Sequence, residues 1–108
     1  MPQHAVSTGK YVFIPVSPES FVNMDFGDIR IQIQEQLVRK QSRIGLEFSG
    51  GTYLYSRVAA FLVECYRLVK EHGGLLSVIS QDPYFIKVLQ TTQLDRMVPM
   101  VSSRHLLD

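Results

Sequence analysis

The 108 residues contain one cysteine, Cys65, so no internal disulfide can form, and a reducing, cytoplasmic setting is expected. Tryptophan is absent, and the three histidines, His4, His72 and His105, are scattered. No Cys or His pair has zinc-ligand spacing, so no metal site is expected. An excess of one charge is missing too. Eleven Lys and Arg against ten Asp and Glu leave +1, without the basic surplus of a nucleic-acid binder. No run approaches the roughly 18 apolar residues that a membrane span needs. The start, Met1-Pro2-Gln3-His4, has no basic stretch leading into an apolar core, so it does not read as a secretory signal. A Gly-rich phosphate loop with its lysine and a dinucleotide fingerprint are both lacking. No paired carboxylates suggest acid-base work. These absences point away from catalysis, and no cofactor is expected.

What is present suits a folded domain. Hydrophobic residues make up 45%, enough apolar side chain to offset chain entropy. The length predicts a single domain over residues 1–108. Tyr11 to Val16 reads as a strand rich in β-branched and aromatic residues, with residues 3–6 as a short strand before it. Pro15 has no N–H and should sit at the strand's end or on an edge-facing side. From about Met24 to Gln41, Phe26, Ile29, Ile33 and Leu37 mark one helix face, with Asn23 or Asp25 as cap. Arg43 to Phe48 alternates as a strand, with Ile44, Leu46 and Phe48 inward. Residues 57–72 carry the strongest helical stripe, Val58, Phe61, Leu62, Cys65, Leu68 and Val69. Ser56 stands where a cap belongs, and His72-Gly73-Gly74 supplies the stop. Leu75 to Ile79 predicts a strand buried on both faces. Asp82-Pro83 opens a third helix that ends near Thr92, with Phe85, Val88 and Leu89 inward. Met97 to Val101 reads as a last strand. The order β-β-α-β-α-β-α-β predicts parallel pairs joined by right-handed crossovers.

From Ile44 onward the chain resembles the STAS domain, the family of anti-sigma factor antagonists and of the cytoplasmic ends of sulfate transporters. Leu46-Glu47-Phe48-Ser49-Gly50-Gly51-Thr52-Tyr53-Leu54-Tyr55-Ser56-Arg57-Val58 is similar to the family's Leu-Asp-Leu-Ser-Gly-Val-Thr-Phe-Ile-Asp-Ser-Ser-Gly. Glu71 to Val78 resembles the stretch after the family's second helix. Val88 to Pro99 resembles Val-Leu-x-x-x-Gly-Leu-Asp-x-x-Phe-Pro. The resemblance implies an α/β, STAS-like fold: a mixed, mostly parallel central sheet of four or five strands covered by three or four helices. It implies a bacterial anti-sigma factor antagonist acting in transcription regulation by partner switching. There, a serine after the loop aspartate is phosphorylated by an anti-sigma factor that is also a kinase. Ser56 matches that serine. Tyr55, Arg57 and Val58 depart from the Asp, Ser or Thr, and Gly beside it.

Ser56 is therefore read two ways, as a helix cap and as a phosphorylation candidate. A phosphate at a helix N-terminus is favoured by free N–H groups and the helix dipole, and Arg57 could pair with it. Tyr53, Tyr55, Ser56, Arg57 and Val58 are the candidate partner-binding residues, since Tyr and Arg are enriched in binding hot spots. Partial burial of the two tyrosines is the competing reading. The expected partner is a protein, either an anti-sigma factor serine kinase or a PP2C-type phosphatase. Homo-oligomerisation stays open, and membrane insertion is not expected. An adaptor subunit in a lipid-transport or stress-sensing assembly is the alternative role. Gly50-Gly51 reads as a tight strand exit, with an anion cradle as the second reading. Cys65 reads as a core thiol, and Phe21, Val22 and Phe26 as a lid on the sheet or a contact surface.

Overall fold

The computed structural model describes residues 6–8, 11–17, 27–49, 55–103 and 106, with backbone only at 6–8 and at Tyr55. Several expectations lie outside these residues: those on residues 3–5, 21–26 and 50–54. The described elements are β1 (Val6–Thr8), β2 (Tyr11–Val16), α1 (Gly27–Val38), β3 (Arg43–Phe48), α2 (Tyr55–Glu71), β4 (Leu75–Ile79), α3 (Pro83–Thr91), a 3-10 turn (Leu94–Arg96) and β5 (Met100–Val101). The order of elements is the expected alternation, with the first described strand at Val6–Thr8 where residues 3–6 were expected.

The sheet has five strands in the order β1-β2-β3-β4-β5. β1 pairs antiparallel with β2, and the other pairs are parallel. The mixed, mostly parallel α/β sheet implied by the resemblance is therefore what the chain forms. Each parallel neighbour is reached through a helix, as a parallel connection requires. Pro15 sits in an interior strand without costing a rung to β3. The Val16 carbonyl accepts from the Ser49 N–H at 2.9 Å, so Val16 faces β3 and Pro15 faces the other way. On that side, the described pairs with β1 run from Val6 with Phe13 to Thr8 with Tyr11.

One cluster holds most of the core. It joins Ile14, Val16, Ile44, Leu46, Phe48, Leu76 and Val78 from the sheet to the buried faces of all three helices. Alternate strand residues point the other way. Tyr11, Phe13 and Ile79 form a second, smaller cluster there. Gly45 lies between Phe13 and Ile79. A Cβ on it would meet Phe13 Cδ1 at 2.9 Å and Ile79 Cδ1 at 3.1 Å, so the absence of a side chain lets the Phe13 ring lie across β3.

The helix ends follow local chemistry. Asp82 caps α3, its Oδ1 accepting from the Tyr84 N–H at 3.0 Å, with Pro83 at the first helical position. At the end of α2, Gly73 takes φ +72°, where a side chain is strained. Gly74 N–H then donates to the Val69 carbonyl at 3.0 Å and Gly73 N–H to the Lys70 carbonyl at 2.9 Å, the paired bonds of a Schellman stop. Arg30 Nη2 donates to Glu64 Oε2, tying α1 to α2.

Four expectations need correction. α1 stops at Val38, short of Gln41, because Lys40 turns to φ 65°. α2 begins at Tyr55, so Ser56 lies inside the first turn and does not precede it. The stretch from Met97 to Val101 contributes only Met100–Val101 to the sheet, because Leu94–Arg96 and the bonds from Met97 and Val98 to the Leu94 carbonyl curl the chain first. Leu75 is exposed at the strand's start, whereas Leu76 to Ile79 are buried.

Candidate functional site

Because β2 to β5 run parallel, their C-terminal ends share one edge of the sheet. The helices that follow β3 and β4 start at that edge, so the first turns of α2 and α3 both lie there. The first N–H groups of each helix have no intrahelical partner, which makes such an edge favourable for anions and polar contacts. Crevices at this edge are the usual ligand and partner sites of open α/β sheets.

A cleft of about 590 Å³ opens at the edge, with Glu47 and Ser49 at the end of β3, Ser80 and Asp82 after β4, and Ser102 and Ser103 after β5 on its walls. The Ser80 hydroxyl is buried and accepts from the Asp82 N–H at 3.2 Å. The Ser49 hydroxyl donates to the Val16 carbonyl at 3.2 Å. Below the cleft, the Phe48 and Phe85 rings lie 4.7 Å apart with a 49° tilt, fastening α3 to the end of β3. The edge is thus a set of hydroxyls and carboxylates on a rigid aromatic footing.

The sequence candidates separate at this edge. Ser56 is exposed on the first turn of α2, and Arg57 is half-buried beside it. Val58 is only 1% exposed and belongs to the main core. Its expected place among partner-binding residues is corrected accordingly: it anchors the helix start and offers no surface. Tyr55 opens α2, and Tyr53 lies outside the described residues. The cleft walls were not singled out from sequence, apart from Asp82 as a cap. The readable signal was the β-α alternation, which brings every strand's C-terminal end to one edge.

Cys65 is a core thiol. It is buried in the main cluster, and burial, with a smaller push from the Glu64 carboxylate, raises its pKa from 9.0 to about 12, against a small opposing pull from Arg30. The thiol is therefore neutral in the fold, and the thiolate needed for nucleophilic chemistry is suppressed. We expect Cys65 to resist disulfide-exchange reagents in the native protein at pH 8 and to react at once after unfolding. A thiol titration with and without denaturant checks this. Because the folded pKa lies above the unfolded one, this site lowers stability as pH rises from about 9 towards 12. Cys65→Ala should flatten that alkaline decline in thermal melts.

Among the described residues, no group of three or more His, Cys, Asp or Glu side chains could hold a metal ion. Likewise among them, no helix is long and apolar enough to cross a membrane.

No family model matches the chain, and no curated protein matches its sequence. Solved structures do. The crystal structure of a Thermotoga maritima protein described as a candidate anti-sigma factor antagonist superposes with a TM-score of 0.70. The superposition covers 97% of this chain and 90% of that one, at 16% identity. A solution structure of the same protein gives 0.69 at 17% identity, covering 92% of this chain and 79% of that one. The chain is similar to that protein in fold across nearly its whole length, and the fold is the STAS-like one that its sequence motifs imply.

Proposed function

We propose that this chain is a non-enzymatic, cytoplasmic protein-interaction domain of the bacterial anti-sigma factor antagonist kind, which docks its partner through the first turn of α2. The observation that carries this reading is the placement of Ser56 and Arg57. They stand at the C-terminal edge of a STAS-like sheet, on a helix start anchored by Val58. The partner is a protein, an anti-sigma factor serine kinase or a PP2C-type phosphatase, and the pathway regulates transcription by partner switching. Phosphate on Ser56 would add close to two negative charges at a helix N-terminus, where the dipole favours them. The fold would tolerate the modification, and its effect would fall on the partner.

A second reading is supported by Tyr55, Arg57 and Val58, which stand where the family pattern has Asp, Ser or Thr, and Gly. These departures fit an adaptor that docks constitutively in a larger assembly, without a phospho-switch. Affinity capture from the native cell tests the docking surface common to both readings. Tyr55→Ala and Arg57→Ala should each reduce recovery of the captured protein about tenfold or more while keeping the circular-dichroism spectrum of the wild type. Unchanged recovery with both variants would overturn the reading. Sequencing the captured protein separates a kinase or phosphatase from a transport or stress-complex subunit.

A further inference from the structure

α1 carries apolar residues on two opposite sides. At about 100° per residue, Ile29, Ile33 and Leu37 form the buried stripe. Asp28, Ile31, Glu35, Val38 and Arg39 lie along the opposite side, and all five are exposed. Ile31 is 52% exposed and Val38 81%, with a shallow notch of about 280 Å³ between them and Gln34, Glu35 and Arg39. A solvated helix face needs neither of these β-branched residues, since both lower helix propensity. Among the described residues the one ion pair joins Arg30 to Glu64, so the charges of this outer stripe make no ion pair with another described residue.

The stripe is polar at its two ends in opposite senses. Asp28 lies in the first turn, and Arg39 follows the last. We infer that this face pairs with the same face of a second copy, the two α1 helices running antiparallel about a two-fold axis between residues 34 and 35. In that register Ile31 faces Val38 of the second copy, and Val38 faces its Ile31. Both apolar pairs fall on one side of the seam, each about 5 Å along the axis from the centre at about 1.5 Å rise per residue. On the other side, Asp28 comes within about 3 Å, along the axis, of the second copy's Arg39. The symmetry repeats that contact at the far end. The two Glu35 residues meet near the axis with an Arg39 on either side of them. A parallel pairing would instead set Asp28 on Asp28 and Arg39 on Arg39. The face is thus self-complementary in one orientation only, as an isologous interface must be.

This surface is one helix long, below the roughly 1,600 Å² of a standard interface, so the association is weak. The inference rests on the α1 face alone and does not depend on the docking reading.

Sedimentation equilibrium of the full chain between about 10 µM and 1 mM tests the inference. Wild type should rise towards the mass of two chains across that range. Val38→Glu should stay a monomer and, because Val38 is exposed, keep the wild-type melting temperature. Asp28→Arg and Arg39→Asp should each weaken association at least tenfold, and the double variant should return to within about threefold of wild type. A wild-type chain that stays monomeric at 1 mM would overturn the inference. So would a dimer indifferent to Val38→Glu, or a double variant no better than the single ones.

Discussion

Gly74→Ala should cost the fold about 3 kcal/mol, enough to lower the melting temperature of a domain this size by about 12–20 °C. The reason is the crowding between α2 and β4. A Cβ on Gly74 would stand 2.3 Å from the Ser42 carbonyl oxygen and 2.9 Å from Val69 Cγ1. The first obstacle is backbone and cannot swing aside as a side-chain end would. That carbonyl also accepts from the Leu75 N–H at 2.8 Å, where β4 begins to pair with β3. Making room therefore breaks the entry of β4 into the sheet. Gly73→Ala is the internal comparison. Nothing lies within 4 Å of its Cβ position, so the cost is only that of φ +72°, about 1 kcal/mol. Thermal melts of the two variants side by side check the argument. A Gly74 variant no worse than the Gly73 variant would contradict the packing described.

The second large effect belongs to Phe85, which is 1% exposed and packs against Phe48 at 4.7 Å. Phe85→Ala should lose about 3–5 kcal/mol, since the removed ring leaves a cavity that its neighbours cannot fill. Phe85→Leu keeps most of the volume and should lose markedly less. Lys87→Ala, two residues on and exposed, should stay within about 0.5 kcal/mol of wild type. Chemical denaturation midpoints separate the three. The Phe85 ring also fixes the start of α3 beside the cleft. Phe85→Ala should therefore raise amide exchange at Asp82 to Ile86 more than at the end of α2.

Why some of this was legible in sequence and some was not follows from range. The alternation of strands and helices rests on short-range patterns, and α2 shows it best: Val58, Phe61, Leu62, Cys65 and Val69 recur at helical spacing and are all buried. Asp82-Pro83 and Gly73-Gly74 carry their caps in their own chemistry. α1 was harder to delimit, because Ile31 and Val38 oppose the core stripe and blur its periodicity. The 3-10 turn at Leu94–Arg96 was missed because Met97, Val98 and Met100 read as strand. Val98 is in fact buried by the curl that precedes β5. At the candidate site, Ser56 and Arg57 were singled out through a family pattern, and local chemistry alone gave only a cap. Val58 follows Ser56 and Arg57 in the family pattern, but the same stripe that makes it core removes it from the surface. The cleft escaped notice because its walls come from loops far apart in sequence, Ser49, Ser80 and Ser102, which meet only when the strands align.

The central claim is that the exposed first turn of α2 is the docking surface. Its most direct test is quantitative affinity capture from the native cell with wild type and Ser56→Asp in parallel. The account predicts that the protein held by wild type falls at least tenfold on Ser56→Asp, while the melting temperature is kept, because a negative side chain at a helix start suits the dipole. The same partner recovered in equal amount with Ser56→Asp, and again with Arg57→Ala, would contradict it.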